Sequence, residues 1–198
     1  CSSDLAKEPP QYRLSGREGA KIGASAVIRL TPMGLWARGR LLPCSVGRGG
    51  LTGAKREGDG ATPLGRHRIT GLLYRPDRLA PPAEWARPIL PGDLWCDASD
   101  HPAYNHATRA PFAASHEAMR RPDPLYDIVL ITDWNWPDAR PGAGSAIFLH
   151  QWRRPGFPTA GCIAMARRDL AWLASVVRPG EVLEVPALPR WPGRNAAA

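Results

Sequence analysis

Proline and glycine recur so densely in this chain, 22 and 20 of its 198 residues, that few stretches lack a residue that ends a helix or turns a strand. Regular elements must therefore be short and loops numerous. That favours a mostly β (α+β) fold, a sandwich or barrel-like sheet, and argues against a helical bundle. The length allows one well-packed domain and is short for two. A hydrophobic content of 43% is enough for a core.

Between the turn signals, apolar runs mark the strands. They are expected at Ala26 to Leu30, at Arg40 to Val46 with a break at Pro43, and at Arg66 to Arg75. Tyr126 to Thr132 is the clearest buried strand, Ala146 to Leu149 a second, and Glu181 to Val185 a closing one. Leu170, Leu173, Ala174 and Val177 follow helical spacing and predict a helix over 168–177, with Asp169 in its first turn and Pro179-Gly180 ending it. Residues 1–20, polar and containing Pro9-Pro10, are expected to be a flexible N-terminal tail, 21–188 the domain, and 189–198 a C-terminal tail. Within the domain, 76–124 lacks apolar periodicity and is expected to be a loop-rich insert or lid.

The strongest chemical signal runs from Ser145 to Met165. An apolar strand delivers His150 at its end, a loop with Pro155, Gly156 and Pro158 follows, and Thr159-Ala160-Gly161-Cys162 leads into Ile163. An imidazole within hydrogen-bond reach of a thiol can take its proton and activate it. Gly161 permits a tight turn, and its N–H with that of Cys162 could form an oxyanion hole. The helix expected after Cys162 would favour the thiolate through its dipole. This chemistry needs no metal and no cofactor. The alternative is a small buried cysteine and a strand-end histidine without a chemical role.

The pattern of His150, a Pro/Gly loop and Thr159-x-Gly161-Cys162-Ile163 resembles the signature of the L,D-transpeptidase (YkuD-type) catalytic domain. Asp59-Gly60-Ala61-Thr62-Pro63-Leu64-Gly65 is similar to that family's Thr-Pro-x-Gly hairpin. The likeness covers roughly residues 22 to 186. It implies a peptidoglycan-acting acyltransferase in which Cys162 is the nucleophile and His150 the base, with the backbone carbonyl of Gln151 orienting the imidazole. It further implies donor and acceptor stem peptides as partners, carbapenem-type β-lactams as covalent inhibitors, and a periplasmic or cell-wall-associated location. Water as acceptor would make the same residues a carboxypeptidase or endopeptidase; a non-catalytic wall-binding domain is the further alternative. The chain departs from the family at Ala160 and Ala164, where many members carry His and Arg, and at Gln151, where Gly is usual. Thr159 and Ala160 are the expected substrate contacts beside the nucleophile.

Other candidates come from the loops. Gly47 to Gly60 lacks the Gly-Lys-Ser/Thr ending of a Walker loop. It is expected to be either a mobile cationic loop, with Arg48 and Lys55 meeting substrate carboxylates, or a merely solvated one. Trp95, with Trp85, Tyr104 and Phe112, either lines a groove for glycan or peptide or pins the insert to the core; Tyr126 is a further candidate contact. Asp133 or Asn135 is expected near the mouth of the site. Cys96, His101 and His106 suggest zinc only by proximity, without a CxxC or HExxH pattern, and no metal site is expected. Cys44 and Cys96 are either one disulfide or two separate buried thiols.

A net charge of +8, mostly arginine, suits polyanionic partners. The basic residues are scattered and no helix-turn-helix, zinc-finger or RNP-like pattern is present, so nucleic acid is not an expected partner. No apolar run is long enough for a transmembrane helix. Cys1 could be a lipid-modified mature start or a truncation point.

Overall fold

The computed structural model describes residues 27–188. The tails expected at 1–20 and 189–198, Cys1 and Ala26 lie outside the described residues. Over the described residues the fold is mostly β with one α-helix, as expected.

Strands β1 (Ile28–Thr31) and β2 (Gly34–Ala37) form a hairpin in which Ile28 and Leu30 point inward and Arg29 outward. Gly34 is required at the turn. Its φ is +136°, and a Cβ there would sit 2.4 Å from the Leu42 carbonyl oxygen. Strand β3 (Arg40–Leu42) pairs with β2. Pro43 then breaks the run, and β4 (Cys44–Ser45) leaves for the far edge of the sheet. Two short parallel strands, β5 (Leu51–Thr52) and β6 (Thr62–Pro63), bracket the glycine-rich loop. The long strand β7 (Gly65–Tyr74) follows, and β8 (Arg87–Pro88) lies beside it.

The insert is rich in loops but has a small framework of its own. It carries β9 (Asp93–Cys96), β10 (Ala107–Arg109) and β11 (His116–Ala118), a separate antiparallel sheet in the order β10-β9-β11. These strands are too short to show a periodicity above their turn-rich surroundings. Tyr126 also departs from expectation. It ends a 3-10 turn, Pro124–Tyr126, whose N-terminus Asp123 caps through its side chain, with Pro124 in the first position.

Strand β12 (Ile128–Thr132) is buried throughout and is flanked by β7 and by β13 (Phe148–Gln151). β14 (Ile163–Met165) runs parallel to β13, helix α1 (Arg167–Val176) follows, and β15 (Val182–Val185) closes between β1 and β7. The main sheet reads β3-β2-β1-β15-β7-β12-β13-β14-β4. Since its end strands β3 and β4 are joined through Pro43, it curls into a nearly closed barrel. Leu30, Ile69, Leu72, Leu130, Leu149 and Ile163 fill the core, and α1 adds Leu170, Leu173 and Ala174. Among the described residues, no helix is long and apolar enough to cross a membrane.

Candidate functional site

Parallel pairing sets Leu149 opposite Ile163 and His150 opposite Ala164, so Cys162, one residue ahead of β14, falls opposite Phe148. Alternation along the strands then turns Cys162, Phe148 and His150 to one face. Cys162 and His150 are diagonal neighbours there, on adjacent parallel strands and two residues apart in register. A loop of the chain separates them in sequence and two adjacent strands bring them together.

The His150 ring is 9% exposed, and its Nδ1 lies 2.7 Å from the Gln151 carbonyl oxygen. A carbonyl only accepts, so Nδ1 carries the proton and Nε2 keeps its lone pair. The Tyr126 ring packs edge-on against the imidazole at 5.3 Å. Burial lowers the His150 pKa to about 4, against the opposing effect of the Gln151 carbonyl, so the ring is neutral at pH 7.

Cys162 is 8% exposed. Its S–H donates to the Ala146 carbonyl at 3.0 Å, and the Phe148 N–H donates to Sγ at 3.4 Å. Burial above all, then the charge of Glu117, pushes the thiol up to about 12; the Phe148 N–H and Lys55 act the other way. The expected help from a helix dipole is absent. β14 stands between Cys162 and α1, which begins only at Arg167, and the dipole effect fades within a turn. The closed site holds a protonated thiol.

The turn before Cys162 is tied internally. Gly161 N–H donates to Thr159 Oγ1 at 3.1 Å, and that hydroxyl donates to the Cys162 carbonyl at 2.6 Å. The Gly161 N–H is therefore engaged rather than aimed at a free oxyanion position. Thr62 Oγ1 donates to the Gly161 carbonyl at 2.7 Å and accepts the Gly47 N–H at 2.9 Å, so the β6 segment holds the turn in place. Glycine is needed at 161 because φ is +145° and a Cβ would meet the Ala61 carbonyl oxygen at 3.1 Å. Ala160 is exposed beside it, and the Arg48 N–H donates to the Thr159 carbonyl at 2.9 Å.

Lys55 is not a free cation on a mobile loop. Its side chain is 3% exposed and pairs with Asp59 at 2.6 Å, which fastens the loop to itself. Arg48 is exposed. Trp95 does not line an open groove; it stands edge-on over Phe148 at 5.0 Å, in one cluster with Tyr126, Met119 and Cys162. The insert thus roofs the thiol. Trp85 packs against the barrel core, and Phe112 lies between His101 and His116. Asp133 accepts the Arg68 N–H at 2.8 Å and Asn135 ties Arg140 and Gly144, so both brace the loop before β13.

Three residues were missed in the sequence. Asn105, 2% exposed, accepts from Trp95 Nε1 at 3.1 Å and from the Ala146 N–H at 2.9 Å, and donates to the carbonyls of Trp134 and Asn135. It joins the insert to the loop carrying Ala146. Ala146, at φ +52°, turns its carbonyl to the thiol. Glu117 accepts the Tyr126 hydroxyl. The left-handed position gives no signal at an ordinary Ala, and a lone Asn or Glu in a turn-rich stretch gives none either; the Asp123-Pro124 cap beside Tyr126 is readable.

Cys44, Cys96 and Cys162 are free thiols, so Cys44 and Cys96 are not bridged. Cys44 belongs to the barrel wall and Cys96 to the insert sheet. Among the described residues, no three His, Cys, Asp or Glu side chains converge as metal ligands. His101 Nδ1 accepts from the Ala103 N–H, and His106 Nδ1 meets the Tyr104 carbonyl.

The family model of the L,D-transpeptidase catalytic domain, YkuD, matches residues 27–185. No curated protein and no solved structure gives a match.

Proposed function

Because the chain belongs to the YkuD L,D-transpeptidase catalytic-domain family, whose members act on peptidoglycan peptides, we propose that it is a cysteine-dependent L,D-transpeptidase that cross-links stem peptides through a thioester on Cys162. The observation that carries this is the Nδ1 contact of His150 with the Gln151 carbonyl. It leaves Nε2 as an acceptor on the same strand face as the thiol.

In this reading the insert first lifts from Cys162, since its Trp95 and Met119 pack in one cluster with it in the closed state. Hydration of the site then relieves the burial that holds the thiol protonated and the imidazole neutral. The thiol proton passes to His150 Nε2, and sulfur attacks the carbonyl carbon of the donor stem. As the C–N bond breaks, His150 returns the proton to the leaving amine of the terminal D-residue. An acceptor amine attacks the thioester, the new amide forms, and the sulfur leaves as a thiol once more. Thr159, Ala160, Arg48 and Tyr126 are the proposed substrate contacts, and the location is periplasmic or cell-wall associated.

The test is intact-mass analysis after exposure to a carbapenem, together with mass spectrometry of muropeptides incubated with the protein. The proposal expects an adduct at Cys162, lost in Cys162→Ala, and cross-linked dimers. Shortened monomers alone would make the protein a carboxypeptidase or endopeptidase. Neither adduct nor product, with sacculus binding intact in Cys162→Ala, would leave a wall-binding domain.

A further inference from the structure

The outside of the barrel is covered on one half and bare on the other. On the covered half, Ile131, Phe148 and Cys162 lie under the insert with Trp95 and Met119. Across β3, β2, β1, β15 and β7 the outward positions form one register row, Leu41, Trp36, Arg29, Glu184 and Arg66. All but Glu184 are exposed. Four large apolar side chains stand exposed among the described residues. Met33 at 71%, Trp36 at 47% and Leu41 at 42% belong to the β1–β3 corner, and Leu90 lies elsewhere. Single exposed apolar groups are ordinary on a protein surface, whereas their gathering in one place points to a contact.

The corner is braced and cationic. Thr31 Oγ1 accepts the Met33 N–H at 3.3 Å and donates to the Gly34 carbonyl at 2.8 Å, which fixes the hairpin tip. Arg29 pairs with Glu184 at 3.2 Å. Arg40 lies over the Trp172 ring, and Arg68 donates to the Gly180 carbonyl. Neither these two nor Arg66 meets a carboxylate among the described residues. The face therefore joins apolar side chains to a surplus of positive charge. A stable protein interface takes about 20–30 residues a side around a packed apolar centre, far more than three apolar groups on a convex wall supply. A bilayer asks less: a few side chains in the headgroup layer, Trp favoured among them for its amphipathic ring, and arginines that reach anionic phosphates.

We propose that the β1–β3 corner is a peripheral docking surface for an anionic phospholipid bilayer. Met33, Trp36 and Leu41 enter the headgroup layer, and Arg40, Arg66 and Arg68 meet lipid phosphates. Counting the joint at Pro43, β2 and β13 stand four strands apart one way round the ring and five the other. The docked barrel thus turns Cys162 and its roof away from the lipid and leaves the insert free to move. Docking of this kind holds whether or not the thiol carries out a transpeptidation, because the two features share no side chain.

The test is co-sedimentation of the full chain with vesicles of phosphatidylglycerol mixed into phosphatidylcholine, and with vesicles of phosphatidylcholine alone, at low and high salt. The parent is expected to pellet with the anionic vesicles, to leave them as salt rises, and to stay off the neutral ones. Met33→Ser and Trp36→Ser should each bind about 10-fold more weakly, and Arg66→Gln about 5-fold more weakly. Arg154→Gln, which removes an exposed charge from the loop between β13 and β14, should bind as the parent does. Met33 is the most exposed of the three apolar groups, so Met33→Ser keeps the fold, and an unchanged urea midpoint verifies it. Binding that survives Met33→Ser and Trp36→Ser intact, or that falls equally in Arg66→Gln and Arg154→Gln, belongs to diffuse charge and overturns the proposal. So does a parent that stays in solution with both vesicle types, or one that binds both alike. A parent that stays off the vesicles and sediments as a dimer, with Trp36→Ser a monomer, gives the face to a second copy of the chain and overturns it too.

Discussion

The barrel wall and the insert that covers it are held by different physics. Leu72, Leu130, Leu149 and Ile163 sit in the wall at 1% exposure or less, and the strands carrying them are bonded along their length. The insert contributes a smaller apolar set, Ile89, Trp95 and Met119. Much of its attachment is polar: Asn105 to Ala146, Trp134 and Asn135; Tyr104 to Glu57 at 2.5 Å and Gly144 at 3.0 Å; Tyr126 to Glu117. Apolar packing is non-directional and water cannot replace it, whereas each of these hydrogen bonds has a water-bonded alternative and a modest net value. The wall is held chiefly by apolar packing, the roof in larger part by hydrogen bonds.

Four experiments would break or sharpen that contrast. Leu130→Ala, a cavity in the wall, is expected to cost about 2–5 kcal/mol and to lower global stability in urea. Asn105→Ala strands the polar groups it served and is expected to cost about 1–3 kcal/mol, confined to the insert. Hydrogen exchange should quicken at 93–119 while β12 stays protected, and iodoacetamide should reach Cys162 faster. Equal loosening of wall and insert would show that they unfold as one body.

The pH dependence tests the closed site. The folded His150 pKa is about 4 against an ordinary 6.5, so the unfolded chain binds more protons between those values. Stability should therefore fall as pH drops from 6.5 towards 4, and His150→Gln should flatten that limb of the urea-midpoint curve. The thiols of Cys44 and Cys162 stand at about 12 rather than 9.0. The unfolded chain loses those protons first, so stability should also fall from pH 9 towards 12, less steeply in Cys162→Ala. The smallest effect is expected at Arg154, exposed and stacked on Phe157 at 4.7 Å. Arg154→Ala should change stability by about 0.5 kcal/mol or less and leave Cys162 alkylation unaltered.

Legibility in the sequence divides along the same line. Most wall strands announce themselves as apolar runs between turn residues, though β2 and β14 do not, and Pro43 marks the break between β3 and β4. α1 begins at Arg167 where the spacing predicts 168. Cys162 and His150 stand out because their residue types and setting are unusual. The roof does not: β9 to β11 are short, and Asn105 and Glu117 matter through partners distant in the chain. The dipole expectation for Cys162 failed because Ile163-Ala164-Met165 is too brief an apolar segment to separate from the start of a helix. Lys55 reads in a glycine-rich loop either as a cation for substrate carboxylates or as a solvated charge, and only the fold reveals Asp59 and Gly144 closing around it.

The place of β15 has a bearing on biogenesis. This last of the described strands occupies the slot between β1 and β7, both formed from much earlier chain. A nascent polypeptide lacking Val182–Val185 has a ring with a stave missing, and the long-range pairing of Ile28 with Leu183 that completes it waits until β15 is made. Assembly of the sulfur's surroundings is thereby coupled to the arrival of β15, and a ribosome-bound fragment that stops short of it would have its cysteine before it had a finished cradle for it.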